Sequence, residues 1–460
     1  MIKKKKYSLY IPEKILPKMN EFKENPTNIP GFTISRLLYL IHLIISHKQE
    51  AHPGSYSFLK MEYLNNVVPN SRKYLYLLRD KGIIEWKNHF NSDKPGVESH
   101  TRLYRLTKEY EGPTVPRTLT DKKLIYKIEM QYLKVKKANS KKYPKLNKWV
   151  YRVQINEAEA KQTVNTVYQD NIRTGKPNAE NIRTFGLAEI EKIARGEIYI
   201  RVNKTNGRYD SNYTRLPSCL VPLLTINNQP LIEIDIANSQ PFFAGCLINP
   251  TEEIQGIMGN SLYIYEKSLN LTDKQDVNIF IKLVTSGEFY PYLMTEFDKN
   301  DIHYIDKTDF KEQLFTVFFG RNSAKYVCRS VKLFANLFPN VQRLFEYIKK
   351  DEHNQLAILL QRIESHVILN KVAPAISEQY PEIPFITKHD SLLPVYKSGG
   401  FIIPGNNEEG IKELIIKEIK KVTGLAPFVR VKNDCSGASS YNSSILTQFS
   451  SNPNTLYHYV

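Results

Sequence analysis

Two aspartates stand where a carboxylate needs a reason. The segment PLIEIDIANSQP rises through an apolar strand to Asp235 and then turns, and PFITKHDSLLPVY sets His389–Asp390 at a hairpin tip between two apolar strands. An unpaired carboxylate in such surroundings is costly, so each must be solvated, paired or bound to a cation. If their strands are neighbours in one sheet, the two carboxylates can hold divalent cations through oxygen, the donor that magnesium prefers. Paired magnesium ions roughly 4 Å apart serve in-line phosphoryl displacement, activating the attacking hydroxyl and stabilising the leaving oxygen. Taken singly, each aspartate also reads as a strand-end or turn residue making local hydrogen bonds.

A third segment adds cations. Residues 307–325 read KTDFKEQLFTVFFGRNSAK, in which Lys307, Lys311, Phe315 and Phe319 recur at every fourth position along one side of a helix, with Gly320 near its end. Two cations followed by two aromatics could neutralise a triphosphate and stack on a base or ribose. The plainer reading is an amphipathic helix with an aromatic core face and lysines snorkelling at one end.

The elements that must position these residues follow an α+β order. Strand-like runs at 197–202, 231–236, 384–388 and 392–396 are separated by long helical stretches. Upstream, the pattern predicts an apolar helix over 33–47, a short helix from Met61 to Asn65, a turn at 67–70 and a helix from Ser71 to Asp80 ended by Gly82. Strands at 83–87 and 102–106 then pair across a polar loop. That order is the winged-helix arrangement, with Arg72, Lys73 and Arg79 on its last helix and Lys87, His89 and Lys94 on the wing. A small helical packing module with a basic face would look the same. Residues 121–195 read as basic helices, densest in charge at KVKKANSKKYPK, either a solvated face or a track for a phosphate backbone.

Composition bounds the partners. The 460 residues are 41% apolar and 24% charged, an ordinary globular balance with room for two or three domains. A net charge of +17 suggests a polyanion, nucleic acid before anionic membrane. Cys219, Cys246, Cys328 and Cys435 stand far apart, which argues against structural zinc or a disulfide framework. The start MIKKKKYSLYIPEK has no apolar stretch of the signal-peptide kind, and the run from Leu37 to Ile45 is too short to span a bilayer. An intracellular, cytoplasmic protein without membrane partners is expected.

Together the segments resemble the motifs of family A DNA polymerases and of the bacteriophage-type single-subunit RNA polymerases. Asp235 matches the metal-binding aspartate of motif A. Lys307-x3-Lys311-x3-Phe315-x3-Phe319-Gly320 has the spacing of the fingers-helix motif B, R-x3-K-x3-F-x3-Y-G. His389-Asp390-Ser391 matches motif C. NKTNGRYDSNYTRLP is similar to the T-G-R-L segment that touches the primer–template duplex, and LAILLQRIESHVILNKV to the helix bearing Q-G-T-A-A-D, with Gln361 at the glutamine. The resemblance covers roughly 197–440, and its specificity lies in the ordered set.

It implies a right-hand polymerase behind an N-terminal helical, winged-helix-like domain (1–115). Thumb-like helices would occupy 116–196, palm 197–250, fingers 251–345, and palm with the C-terminal part 346–460. It further implies two magnesium ions, or manganese, on Asp235, Asp390 and the Ile236 carbonyl. Lys311 would act in catalysis, and Lys307, Phe315, Phe319 and Gln240 would meet the nucleotide. Arg208, Gln361 and His389 would contact primer and template; the winged-helix pattern, independently of the resemblance, would put Arg72, Lys73 and Arg79 on DNA. No acidic exonuclease constellation is evident in the first third, so proofreading is not expected.

Three departures bear on the substrate. Lys307 replaces an arginine, turning a bidentate phosphate contact into a point charge. Gln240 stands where the DNA enzymes carry a sugar-gating glutamate, and Phe319 replaces a tyrosine. A ribose site needs room and a hydrogen-bonding partner for the 2′-hydroxyl, and neither Phe319 nor the bulky Gln240 supplies it. Ser239 and the H-D-S triplet look more like the RNA enzymes. The balance favours a DNA polymerase using dNTPs on a primer–template, in phage, plasmid or other mobile-element replication or in defence. A single-subunit RNA polymerase or primase using NTPs, and an inactive nucleic-acid-binding replication protein, are the alternatives.

Overall fold

The structure is a computed structural model that describes residues 7–24, 28–46, 56–59, 61–88, 102–139, 141–176, 178–395 and 408–432. His89, Lys94, Tyr396 and Cys435 lie outside the described residues.

The first third folds on its own hydrophobic core, which runs from Tyr7 through Leu40, Leu64, Tyr74 and Tyr104 to Leu124. The apolar helix spans Ile34–Ser46 and buries nearly every residue after Ser35 except Leu38 and Arg36. A helix at Met61–Val67 follows, then α1 (Ser71–Asp80), entered through Asn70 in the left-handed region at φ 63°. Ile84–Lys87 pairs antiparallel with Leu103–Leu106, as the alternating apolar residues predict. Ser57–Phe58 adds a third strand on the other side of Leu103–Leu106, too short to be read from sequence. Strand Ser8–Pro12 pairs with Thr114–Thr118, tying the start of the chain to the end of this unit.

The basic middle of the chain is helical, at α2 (Lys122–Asn139), Pro144–Val150, Glu157–Arg173 and Ala179–Ala194. One strand interrupts the expected run. Val153–Ile155 pairs with Leu224–Ile226, and three residues with a partner so distant leave no local signature. The Asn156 side chain caps the next helix by accepting from the Glu159 amide.

The largest sheet has four antiparallel strands: β1 (Glu233–Ile236), β2 (Phe385–Lys388), β3 (Ser391–Pro394) and β4 (Val429–Lys432), in the order β2-β3-β1-β4. β4 was not expected from the sequence. Side chains alternate across this sheet, so Ile234, Ile236, Leu392 and Val429 join the core on one face while Glu233 and Asp235 fall together on the other face of β1. α3 (Ser239–Gly245) leaves β1 through Asn238, also left-handed at φ 53°. α4 (Lys307–Phe319) packs Phe310, Leu314, Val317 and Phe318 into an aromatic core with Phe289, Phe334 and Phe345. Gly320 closes it, since a Cβ there would stand 2.5 Å from the Thr316 carbonyl oxygen. α5 (Gln355–Val367) runs through a π-helical turn at Ile368–Val372 into Ala373–Gln379. Among the described residues, no helix is long and apolar enough to cross a membrane.

Candidate functional site

The sheet brings the two aspartates together. β2 and β3 pair with Lys388 opposite Ser391, leaving His389 and Asp390 as a two-residue turn with His389 at φ 56°. Asp235 stands opposite Ser391, so Asp390 arrives beside β1. The electrostatics record this closeness. Burial first, and then the charge of Asp390, push the Asp235 carboxyl up to about 7, with Lys432 opposing. Asp390 is also pushed up by burial, against the pull of the Arg208 charge.

Cations line the same face. Lys432 Nζ lies 3.0 Å from Glu233 Oε1 and 3.3 Å from Asp235 Oδ2. Ser391 Oγ donates to Glu233 Oε1 at 3.0 Å. Lys311 reaches in from α4, with Nζ 5.3 Å from the Tyr290 ring centroid. Its side chain is exposed, yet the protein around its inner end depresses the amine. Asp235 opposes that shift, and Lys432, Arg430 and Lys307 add to it. The Tyr290 hydroxyl is raised by burial and then by both aspartates, which places it in the same field. Lys307 is exposed at the start of α4. Phe315 and Phe319 are half-buried, with ring centroids 5.4 Å apart.

A divalent cation suits the aspartate pair. The donors are all oxygen, their mutual repulsion calls for positive charge, and the Lys432 ammonium already stands beside Asp235 in that role. Among the described residues no three His, Cys, Asp or Glu side chains gather to hold a metal ion. A cation here would therefore rely on Asp235 and Asp390 together with main-chain oxygen and water.

Behind the aspartates is a polar network that the sequence did not announce. Arg208 is buried and bidentate to Glu364 of α5, with Nε to Oε1 at 2.9 Å and Nη2 to Oε2 at 3.0 Å. Gln240 Nε2 donates to Glu364 Oε2 at 2.6 Å, and Ser239 Oγ lies 3.5 Å from the same oxygen. Asn206 Nδ2 donates to Gln361 Oε1 at 2.8 Å. Gly207, at φ 76° and against Ser365, lets this turn approach α5 so closely. Arg208 and Gln361, expected from the resemblance to contact primer and template, are thus committed to partners within the chain and buried. For Arg208 the reason is Glu364, whose charge in a buried helix face demands a cation. His389 is partly exposed, and its imidazole is held well below the ordinary value by burial and then by Arg208 and Lys388.

Glu364, Glu233, Lys432 and Tyr290 were not singled out in the sequence. Only Glu364 left a signal, as a carboxylate on the apolar face of LAILLQRIESHV. The other three needed the strand register or the packing of α4.

The N-terminal unit carries a separate basic face. Arg72, Lys73 and Arg79 are all exposed on α1. Arg79 stacks over Tyr76 at 4.7 Å and Trp86 at 4.6 Å, and also pairs with Asp80. Arg102 lies over Trp86 as well, at 4.5 Å. Stacking of this kind holds guanidinium groups in fixed directions.

No protein-family model matches the sequence, and no curated protein does. Matches among solved structures include the POL domain of Pol1 from M. smegmatis, in complex with DNA primer-template and dNTP. The identity is 11% and the TM-score 0.30, with 67% of this chain and 65% of that one covered. The chain therefore spans a little under two thirds of that domain.

Proposed function

We propose that this chain is a template-directed nucleotidyltransferase, a compact DNA polymerase without a proofreading exonuclease that extends a primer with dNTPs. The observation that carries this reading is the strand register that sets Asp235 opposite Ser391 and so brings Asp390 to it, with Lys311 close by. In this reading Asp235, Asp390 and the Ile236 carbonyl hold the divalent cations. When bound, these ions activate the primer hydroxyl and neutralise charge on the leaving pyrophosphate.

The chain's own groups do the rest. Lys311 supplies a fixed positive charge where negative charge develops on the transferring phosphoryl group, and Lys307 stands one turn away on the triphosphate side. Phe315 and Phe319 offer an apolar surface for base and sugar. Gln240, held by Glu364, fills space where a 2′-hydroxyl would lie, which favours deoxynucleotides. Residues 197–250 and 346–460 then act as palm, 251–345 as fingers and 116–196 as thumb. The N-terminal unit would act as a winged helix on DNA through Arg72, Lys73 and Arg79.

One observation favours a different reading. Lys432 already neutralises Glu233 and Asp235, an arrangement that would suit a nucleic-acid-binding protein with no chemistry. A single experiment separates the two: labelled dNTPs or NTPs supplied with a primed template and magnesium. Metal-dependent incorporation that Asp390→Asn abolishes supports the enzyme. Duplex binding without incorporation by the wild-type chain sinks it.

A further inference from the structure

Trp86 is held by two cations from different elements. α1 carries Arg72, Tyr76 and Arg79 at i, i+4 and i+7, one stripe of the helix, and all three are exposed. Arg79 reaches from that stripe to lie over Trp86 at 4.6 Å, while Arg102, just before the strand Leu103–Leu106, lies over the same indole at 4.5 Å. Tyr76 meets Trp86 edge-on at 5.2 Å, and Tyr104, opposite Trp86 across the strand pair, does so at 6.0 Å. Strand alternation puts Trp86, Arg102 and Tyr104 on the face of this sheet towards α1. It puts Arg105, which pairs with Glu85 at 2.5 Å, on the opposite face.

Two guanidinium groups gathered on one indole repel each other, and the attraction of the ring offsets only part of that. An anion relieves the rest. Arg79 also pairs with its neighbour Asp80, an exposed pair of small worth that a phosphate can displace. With two cations and two tyrosine rings already packed against it, the indole is committed within the chain rather than open to an unpaired base. What remains for a ligand is guanidinium N–H, whose fork matches a phosphate. Arg72 and Lys73 continue the same sign of charge along α1, as a row of duplex phosphates requires. We infer that Arg102 is a further phosphate contact for duplex DNA, and that Trp86 is the positioning residue that aims Arg102 and Arg79 at the same backbone. The inference rests on the proposed reading of the N-terminal unit as DNA-binding, and it extends that surface from α1 onto the adjoining sheet.

The test is a salt series of binding by the full chain to a labelled blunt-ended duplex, beside a single strand of the same length. Arg102→Gln should reduce the slope of log affinity against log salt by roughly one, the share of a single phosphate. Arg105→Gln, on the other face and paired with Glu85, should leave the slope unchanged. Trp86→Leu keeps every charge, yet it should weaken duplex binding by about threefold, the scale of one exposed cation–ring contact, and Trp86→Phe should restore most of that loss. Tryptophan emission should change on adding duplex, and Trp86→Phe should abolish the change, because Trp149, the chain's other tryptophan, is buried in a separate core. The emission arm and Arg102→Gln carry the test if Trp86→Leu does not fold. An unchanged slope in Arg102→Gln, an equal loss in Arg105→Gln, or tighter single-strand binding that Trp86→Leu abolishes would overturn the inference. If replacing Arg72, Lys73 and Arg79 together still weakens duplex binding, the DNA-binding reading of this unit survives such a result. If that triple replacement changes nothing, the reading fails and the inference with it.

Discussion

Asp235 stands directly opposite Ser391 across the β1–β3 pair, and that register is why Asp390, one residue earlier at the turn, shares an electrostatic field with it. A shift of one residue would turn Asp235 to the core face and break the relationship. On the other side of β1, the pairing with β4 sets Glu233 opposite Lys432, so the acidic face is supplied with its cation by the sheet itself.

Lys311→Ala should slow nucleotide incorporation by roughly 10²-fold or more, the cost of removing one group aimed at developing charge. Lys307→Ala should cost less, since Lys311 is the lysine that feels the charge of Asp235, while Lys307 stands a turn earlier on α4. Single-turnover rates at saturating nucleotide decide this. Equal rates for wild type and Lys311→Ala would remove Lys311 from the chemistry.

Sugar choice should respond to two positions together. Gln240→Gly opens space and releases the bond to Glu364, and Phe319→Tyr adds a hydroxyl beside Phe315. The double variant should raise ribonucleotide use relative to deoxynucleotide use by about tenfold or more, the scale of one or two polar or steric interactions. Competition between dNTPs and NTPs on one template measures it. A wild-type preference for NTPs would reverse the sugar assignment.

Replacing Arg72, Lys73 and Arg79 of α1 by alanine should weaken duplex binding with little sequence preference. It should also reduce the slope of log affinity against log salt by up to about 3, roughly one for each phosphate no longer neutralised. Fluorescence anisotropy across a salt series gives both numbers. An unchanged slope would make this unit a packing module.

Lys349 offers a pH test away from the aspartates. It is buried, donates to the Val317 carbonyl at 2.7 Å near the end of α4, and burial pushes its amine down to about 8. Because the folded value lies below the unfolded one, the fold carries a penalty for the charge at all pH values below about 8. That penalty is relieved as pH rises from there towards about 10.4, the value for a free lysine. Stability against urea should therefore gain on the order of 1–3 kcal/mol over that window in wild type relative to Lys349→Met. Parallel pH profiles for the two proteins would count against it.

Much of this molecule was legible in the chain. The helix from Ser71 to Asp80 has the predicted ends, because its apolar positions fall on one face and Gly82 follows in the left-handed region. The spacing of Lys307, Lys311, Phe315 and Phe319 does fall on a helix, and the hairpin around His389–Asp390 follows from two apolar runs with a polar pair between them. These are local facts, written in periodicity and turn chemistry, and the sequence determines them alone. Which strand lies beside Asp235, what neutralises it, and where Arg208 points were decided only in three dimensions. β4 joins β1 from nearly two hundred residues away and brings Lys432, while the Gly207 turn meets α5 and hands Arg208 to Glu364. Long-range pairing leaves no periodicity in either partner, and a buried charge chooses its counterion by proximity in the folded state rather than by spacing in the chain.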